Sequence, residues 1–361
     1  MGSRRASGAD AKALARAVME HHLGATPKRV ETATGGLSND VLEVLHAQGA
    51  FIVRIGRVPE KLNAYIKEQW AMKHAAQAGV PVPEVLEVGN QAIGRPYMVA
   101  RRVKGMPATV HPDRLGILRQ LGALALRVHG VRTSGFGATF DWSHNRLSHN
   151  ATLREWLDRE LQVERRIAVL ARQGMIDAGR RARLEAVLRT LVRGRKPSVL
   201  NHGDLRLKNV LVDRKGRIVA LIDWDEAIAA AGPAWDLSIA LHDLDVEGRQ
   251  AFAAGYGLDA RRLRELVPAM RVYNLINYAP YVEAAAGRRA PGVGDAGGSA
   301  RAARAPGDDR RGPARAPRGG AANVGARAQA VRPQPWRPAP QERSRRPQGT
   351  DRCADRLGRG D

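Results

Sequence analysis

Three polar residues at fixed offsets around one short hairpin carry the chemistry most legible in this sequence. They stand in "LNHGDLRLKNVLVDRKGRIVALIDW", residues 200–224. Asp204 comes first, Asn209 follows five residues later, and Asp223 closes the stretch. Two apolar runs, Val210–Val212 and Arg217–Ile222, flank "DRKG", where Gly216 can take the positive φ of a tight turn. Antiparallel pairing of the runs brings their feet together. Asn209 and Asp223 are equally spaced from Gly216, so the hairpin predicts them side by side. An amide carbonyl and a carboxylate are hard oxygen ligands. Mg²⁺ takes one or two such groups and fills its remaining positions with water and phosphate oxygens. The expectation is a magnesium site at the foot of the hairpin.

Asp204 and Asn209 also match the D-x-x-x-x-N of a kinase catalytic loop, in which the Asp takes the acceptor hydroxyl's proton and the Asn binds metal. His202 falls where that template has its His, and Asp223 where it has the metal-binding Asp after the hairpin. The template's Phe and Gly are absent, with Trp224 and Asp225 in their place. A hairpin with polar feet is by itself most often a solvated hairpin. Three matched offsets around a hairpin of the right length outweigh that plainer explanation.

"HGDLRLKN" followed by "IDWDEA" resembles the aminoglycoside phosphotransferase and choline kinase-like family, small-molecule kinases with the protein-kinase fold. "PAWDLSIALHDL" supplies Asp236, a further Asp-Leu of the family pattern. The resemblance covers residues 10–286 and is tightest in the C-terminal half. It implies ATP and Mg²⁺ as cofactors, Asp204 as catalytic base, and Asn209 and Asp223 as metal ligands. In the N-terminal half "TGGLSN" looks like the family's phosphate-covering turn, with Gly35, Gly36, Ser38 and Asn39 at the nucleotide. The two glycines would let backbone N–H groups approach phosphate. No G-x-x-x-x-G-K-[ST] is present, which disfavours a Walker-type NTPase. Arg54 in "FIVRIG" stands where the family has its phosphate-binding cation, and Glu68 in "YIKEQW" looks like its helix partner. Arg replaces Lys there, and it is always charged and pairs well with carboxylate. "PYMVARRVKG" resembles the interlobe hinge, implying adenine contacts by the backbone of Val99, Ala100 and Arg101.

The elements that must hold these residues follow from periodicity. Residues 11–23 repeat apolar positions at helical spacing, and Gly24 is a stop signal. Strand, Gly-rich turn, strand, turn and strand follow to about residue 56. A helix then runs to Gly79, and two edge strands follow Pro81 and Pro83. Beyond Gly105 helices dominate: 112–130, one long helix over 151–174, then 178–192, 236–243, 247–256 and 259–285. The expected class is α+β: a bilobal protein-kinase-like fold with a β-rich N-lobe (1–104), a mostly helical C-lobe (105–286) and a disordered tail (287–361).

Composition separates that tail from the rest. The chain has 361 residues and net charge +23. Residues 287–361 hold 17 Arg, no Lys and 7 acidic residues, a contribution of +10, with no Ile, Phe, Tyr or Met. Such a segment buries too little apolar surface to offset its ordering entropy. Its charge suggests a rival function from another class, non-specific nucleic-acid binding, although Trp336 is its only stacking aromatic. The single Cys353 excludes an internal disulfide. Without an apolar leader or an 18-residue apolar run, the expectation is a cytoplasmic protein with no membrane partner.

The expected partner is a small-molecule hydroxyl acceptor, first an aminoglycoside-type antibiotic. A macrolide or another hydroxylated metabolite stays open. A polycationic acceptor would need acidic residues, and Asp225, Glu226, Asp243, Asp245 and Glu283 are the candidates. Against them, residues 141–200 hold 13 basic and 7 acidic residues. Arg206 and Lys208 stand close after the candidate base, to offset negative charge or contact phosphate.

Overall fold

Alternation builds the N-terminal sheet. The computed structural model describes residues 8–33, 39–141, 144–148, 150–194 and 196–287. Gly35, Gly36, Ser38 and residues 288–361 of the tail therefore lie outside the described residues, as do the expectations placed on them. Helix α1 (Gly8–Leu23) precedes strands β1 (Arg29–Thr32), β2 (Asn39–His46) and β3 (Gly49–Gly56). Leu42 and Val44 of β2 and Phe51, Val53 and Ile55 of β3 fall on one face by the period of two. They close a core with Ala15, Val18 and Met19 of α1. Helix α2 (Lys61–Gln77) follows, then β4 (Val85–Gly89) and β5 (Tyr97–Arg101). The five strands are antiparallel in the order β1-β2-β3-β5-β4. β5 is thus an inner strand, contrary to the expected edge, because β4 turns back and caps it on the far side from β3.

α2 belongs to two environments. Glu68 reaches Arg54 of β3, while Tyr65, Ala71, Met72 and Ala75 join the larger core of the C-terminal half. That half begins with β6 (Met106–Pro107), α3 (Arg114–Val128) and the hairpin β7 (Phe140–Asp141) and β8 (Arg146–Leu147). Asp113 caps α3 by accepting from Gly116 N at 2.9 Å.

The long helix expected over 151–174 is broken. Helix α4 (Leu153–Glu155) opens on a capping box with Thr152 and runs into a π-turn at Trp156–Glu160. Gln162 then takes φ +49° before α5 (Val163–Arg172) starts. Glu160 at the break accepts from Asn150 Nδ2 and Ala138 N, both at 2.7 Å, tying the π-turn to a neighbouring loop. These tertiary bonds interrupt a pattern that locally reads as continuous helix.

Helix α6 (Ala178–Arg193) leads to β9 (Ser198–Asn201), then the hairpin β10 (Val210–Val212) and β11 (Ile218–Leu221), and β12 (Ile228–Ala231). The pairing of β9 with β12 was not anticipated from sequence. Helices α7 (Ala234–Ala240), α8 (Val246–Tyr256) and α9 (Ala260–Gly287) complete the fold. Among the described residues no helix is long and apolar enough to cross a membrane.

Candidate active site

β9 delivers the loop that carries the candidate base. All four of its residues are buried, and the chain leaves it at His202. Gly203 takes φ +87°, and a Cβ there would meet the Glu226 carbonyl oxygen at 1.8 Å, so only glycine fits. Asp236 in α7 anchors the loop from beneath. Its fully buried carboxylate accepts from His202 N at 2.7 Å and Gly203 N at 2.8 Å. It also accepts from His129 Nε2 at 3.1 Å. The sequence marks Asp236 as a motif position but not its task, since its partners lie far away along the chain.

His202 joins the loop to the hairpin. Its Nε2–H donates to Ile222 O at 3.0 Å, and Nδ1 accepts from Asp204 N at 3.3 Å. The neutral imidazole makes both bonds. Burial pushes its pKa below the ordinary value against the pull of Asp236. Its ring packs on Trp224, with centroids 4.5 Å apart.

Asp204 is heavily contacted. Lys208 Nζ lies 2.8 Å from Oδ2 and Arg206 Nε lies 3.1 Å from Oδ1. Asn209 Nδ2 donates to Oδ2 at 3.0 Å and to the Asp204 carbonyl at 2.8 Å. Burial would raise the pKa of this carboxyl. The Lys208 hydrogen bond and charge, then Arg206 and Asn209, outweigh burial and hold it below the usual carboxylate range.

The hairpin register differs from expectation by one residue. Val210 pairs with Leu221, and Ile222 N donates to Asn209 O at 2.9 Å. Asn209 therefore sits across from Ile222, not Asp223, because the turn centres on Lys215, with Val212 opposite Ile218, and the bulge between Leu211 and Val212 makes up only one of the two residues of offset. Asp223 is the next residue and turns out of the strand at φ +67°, ψ +60°, the left-handed region that Asp tolerates better than most residues. Trp224 follows, fully buried, with Nε1 donating to Leu221 O at 3.0 Å. It fixes the turn from which Asp223 projects.

The Asp223 carboxylate is exposed and makes no hydrogen bond or ion pair among the described residues. The Asn209 amide spends its N–H₂ on Asp204, which leaves its oxygen to serve as an acceptor. Among the described residues no three His, Cys, Asp or Glu gather around a metal position. One carboxylate and one amide oxygen at adjoining feet of a hairpin fit Mg²⁺ shared with a nucleotide, and do not fit a metal caged by protein alone.

The N-terminal sheet presents the phosphate-facing candidates. Arg54 Nη1 donates to both oxygens of Glu68, at 2.8 and 2.6 Å, and its guanidinium lies over the Tyr65 ring at 5.2 Å. One nitrogen spans the carboxylate, so the pair is not the two-nitrogen fork expected of Arg. Burial lowers the Arg54 pKa, but the charge and hydrogen bond of Glu68 more than offset it, and the group stays charged. At the start of α2, Lys61 Nζ lies 2.5 Å from Asp225 Oδ2. Lys67 is buried, and burial lowers its pKa against the pull of Asp225 and Glu226. These contacts tie α2 to the turn after Asp223, and nothing in the linear spacing announced them.

Val99, Ala100 and Arg101, the expected hinge residues, form the end of β5. Val99 and Ala100 lie between β3 and β4, so their peptide groups face strands on both sides. Arg101 N is taken by Glu84 O at 2.9 Å. Arg102 N in turn donates to Ala50 O at 3.0 Å, and backbone outside any strand continues over residues 103–105. Asn39 is buried at the start of β2, opposite Gly56.

A five-stranded antiparallel sheet with one buried helix Glu–Arg pair, set beside a helical half with this loop and hairpin, defines a protein-kinase-like fold. The profile of the phosphotransferase enzyme family matches residues 29–266, and the chain belongs to that family. Hygromycin-B 4-O-kinase of Escherichia coli is 28% identical over 181 residues, 48% of this chain. That match spans only about half of the relative's length, 51%. The solved structure of aminoglycoside phosphotransferase APH(4)-Ia superposes with a TM-score of 0.55 at 20% identity, covering 76% of this chain and 93% of that one. A thermostable mutant of it, in ternary complex with ADP and hygromycin B, gives 0.54 at 21%, covering 76% and 92%. The GDP and kanamycin complex of APH(2")-IIia gives 0.52 at 17%, covering 75% and 91%. At these identities the structural likenesses establish the fold.

Proposed function

We propose that the protein is an ATP- and Mg²⁺-dependent kinase that moves the γ-phosphate to a hydroxyl of an aminoglycoside-type small molecule. One observation carries the reading. Asp204 is held ionised on a loop locked by Asp236, beside a hairpin foot that offers Asn209 and the unpaired Asp223 carboxylate. Names of relatives support the acceptor class: one phosphorylates hygromycin B, and solved neighbours hold ADP with hygromycin B or GDP with kanamycin.

In this reading Asp204 orients the acceptor hydroxyl and receives its proton. Asn209 and Asp223 hold Mg²⁺, which when bound supplies the charge that offsets the phosphates. Arg54, positioned by Glu68, faces the phosphates. Gly35, Gly36, Ser38 and Asn39 cover them, and the backbone following Val99–Arg101, at residues 103–105, meets the base. The nucleotide lobe is assigned to residues 1–104 and the acceptor lobe to 105–286.

The test is ADP release by purified protein with Mg-ATP across an aminoglycoside panel, beside Asp204→Ala. Turnover should need both the drug and Asp204, and the variant should lose about 10²–10⁴-fold in kcat. Near-normal turnover by Asp204→Ala removes the base assignment.

A further inference from the structure

The contacts around Asp204 bear on which hydroxyl can reach it. Both carboxylate oxygens face a cation, Lys208 at 2.8 Å from Oδ2 and Arg206 at 3.1 Å from Oδ1. The two cations differ in freedom. Arg206 is tied on its other side by Asp243, 3.2 Å from its Nη1, and its side chain is 35% exposed. Lys208 is 57% exposed and projects from the turn that also carries Asn209. A reacting hydroxyl must come within about 2.6–3.2 Å of Asp204. The substituents on the neighbouring carbons of the acceptor are then a few bonds away, inside the reach of the same two cations. At that range and in a partly buried site, like charges are poorly screened.

We propose that Arg206 and Lys208 select the acceptor hydroxyl. The hydroxyl that reacts is one whose neighbouring carbons carry oxygen, as hydroxyl, ether or carboxylate, and not an ammonium group. This rests on the kinase reading above and narrows it. An oxygen substituent accepts a hydrogen bond from Lys208 Nζ, which can turn away from Asp204 without losing a partner. The move frees a lone pair of Oδ2 for the incoming O–H. An ammonium in the same place has nothing to offer Lys208, faces Arg206 as a like charge, and leaves the base occupied. The restriction is local. Ammonium groups elsewhere in a polycationic acceptor lie beyond it, and Arg206 and Lys208 are positioning residues acting around the base.

A purely structural role for the two cations predicts something different. If they only hold Asp204 in place, their loss slows every hydroxyl by the same factor and leaves the product pattern alone. The experiment uses the full chain with Mg-ATP, and kanamycin and hygromycin B as acceptors. The phosphorylated hydroxyl is located by phosphorus–proton correlation NMR, in the wild type and in Lys208→Gln. The wild type should place phosphate on hydroxyls flanked by carbon–oxygen bonds. Lys208→Gln should shift the ratio toward hydroxyls beside an ammonium-bearing carbon by about 10-fold or more, the scale of one lost charge contact. Phosphate on an ammonium-flanked hydroxyl in the wild type overturns the proposal. So does an unchanged product ratio in a Lys208→Gln enzyme that is merely slower. Absence of drug-dependent ADP release in the wild type would sink the kinase reading itself, and this inference with it, whereas the two preceding outcomes leave that reading standing.

Discussion

Asp204 is kept ionised chiefly by Lys208, with Arg206 and Asn209 adding to it. Its carboxyl lies below the ordinary value of 3.8, so the folded chain binds this proton less readily than the unfolded one. Its contribution to stability is therefore complete above the unfolded value and is lost as pH falls through the lower, folded one. In activity the same shift places the acid limb of kcat/KM at low pH. Lys208→Gln should move that limb upward, and an unmoved limb would show that Lys208 does not set the base's charge. Arg54 presents a separate case. Glu68 is fully buried and its charge is answered by Arg54 alone among the contacts found. Arg54→Met should destabilise the protein by about 3–5 kcal/mol, the usual cost of stranding one partner of a buried pair. Adding Glu68→Gln should recover part of that in urea melts. Additive losses in the double variant would mean that the two side chains do not act as a pair.

At the level of elements, the site depends on how β9, the hairpin and α7 grip one loop. Gly203 is the tightest point, since its φ of +87° and the Glu226 carbonyl together forbid a side chain. Gly203→Ala should cost roughly 2–6 kcal/mol, from about 1–3 each for the backbone conformation and the overpacking, and should abolish turnover. A thermal melt within a degree of wild type would show that the loop can shift away from Glu226. The hairpin itself was readable, because two β-branched runs around a Gly-bearing turn have few alternatives. Its register was not. The turn closes between Asp213 and Arg217, and the bulge after Leu211, where β10 also pairs with β6, resets the ladder by one residue. The same limit explains the helix expected over 151–174. Its apolar spacing is helical throughout, yet Glu160 is drawn off to Asn150 and Ala138, partners that no local pattern reveals.

For the molecule as a whole, family match and described fold end well before the chain does, at residues 266 and 287. The 74 residues beyond carry a net charge of +10. A chain cut after Gly287 should keep its melting temperature within about 2 °C, because both cores lie within residues 11–279. It should also lose retention on immobilised RNA at low salt, since that retention would rest on the arginine-rich charge of those residues and fall steeply with ionic strength. Retention unchanged by the cut would place any nucleic-acid affinity on the folded part, and loss of folding would mean the tail packs against a core.

The sequence by itself determined the chemistry on offer and the elements that bear it. Asp204, Asn209 and Asp223 are legible because their spacing is local, as are the strands around Arg54 and the helix bearing Glu68. Tertiary structure alone decided what each of them meets. The bond from Asp236 to the loop at His202 spans 34 residues, and that from Lys61 to Asp225 spans 164. The inner place of β5 depends on where β4 returns. The physical reason is common to all three. Hydrogen bonds and charges act over a few ångströms in space, and periodicity records only which neighbours along the chain share a face.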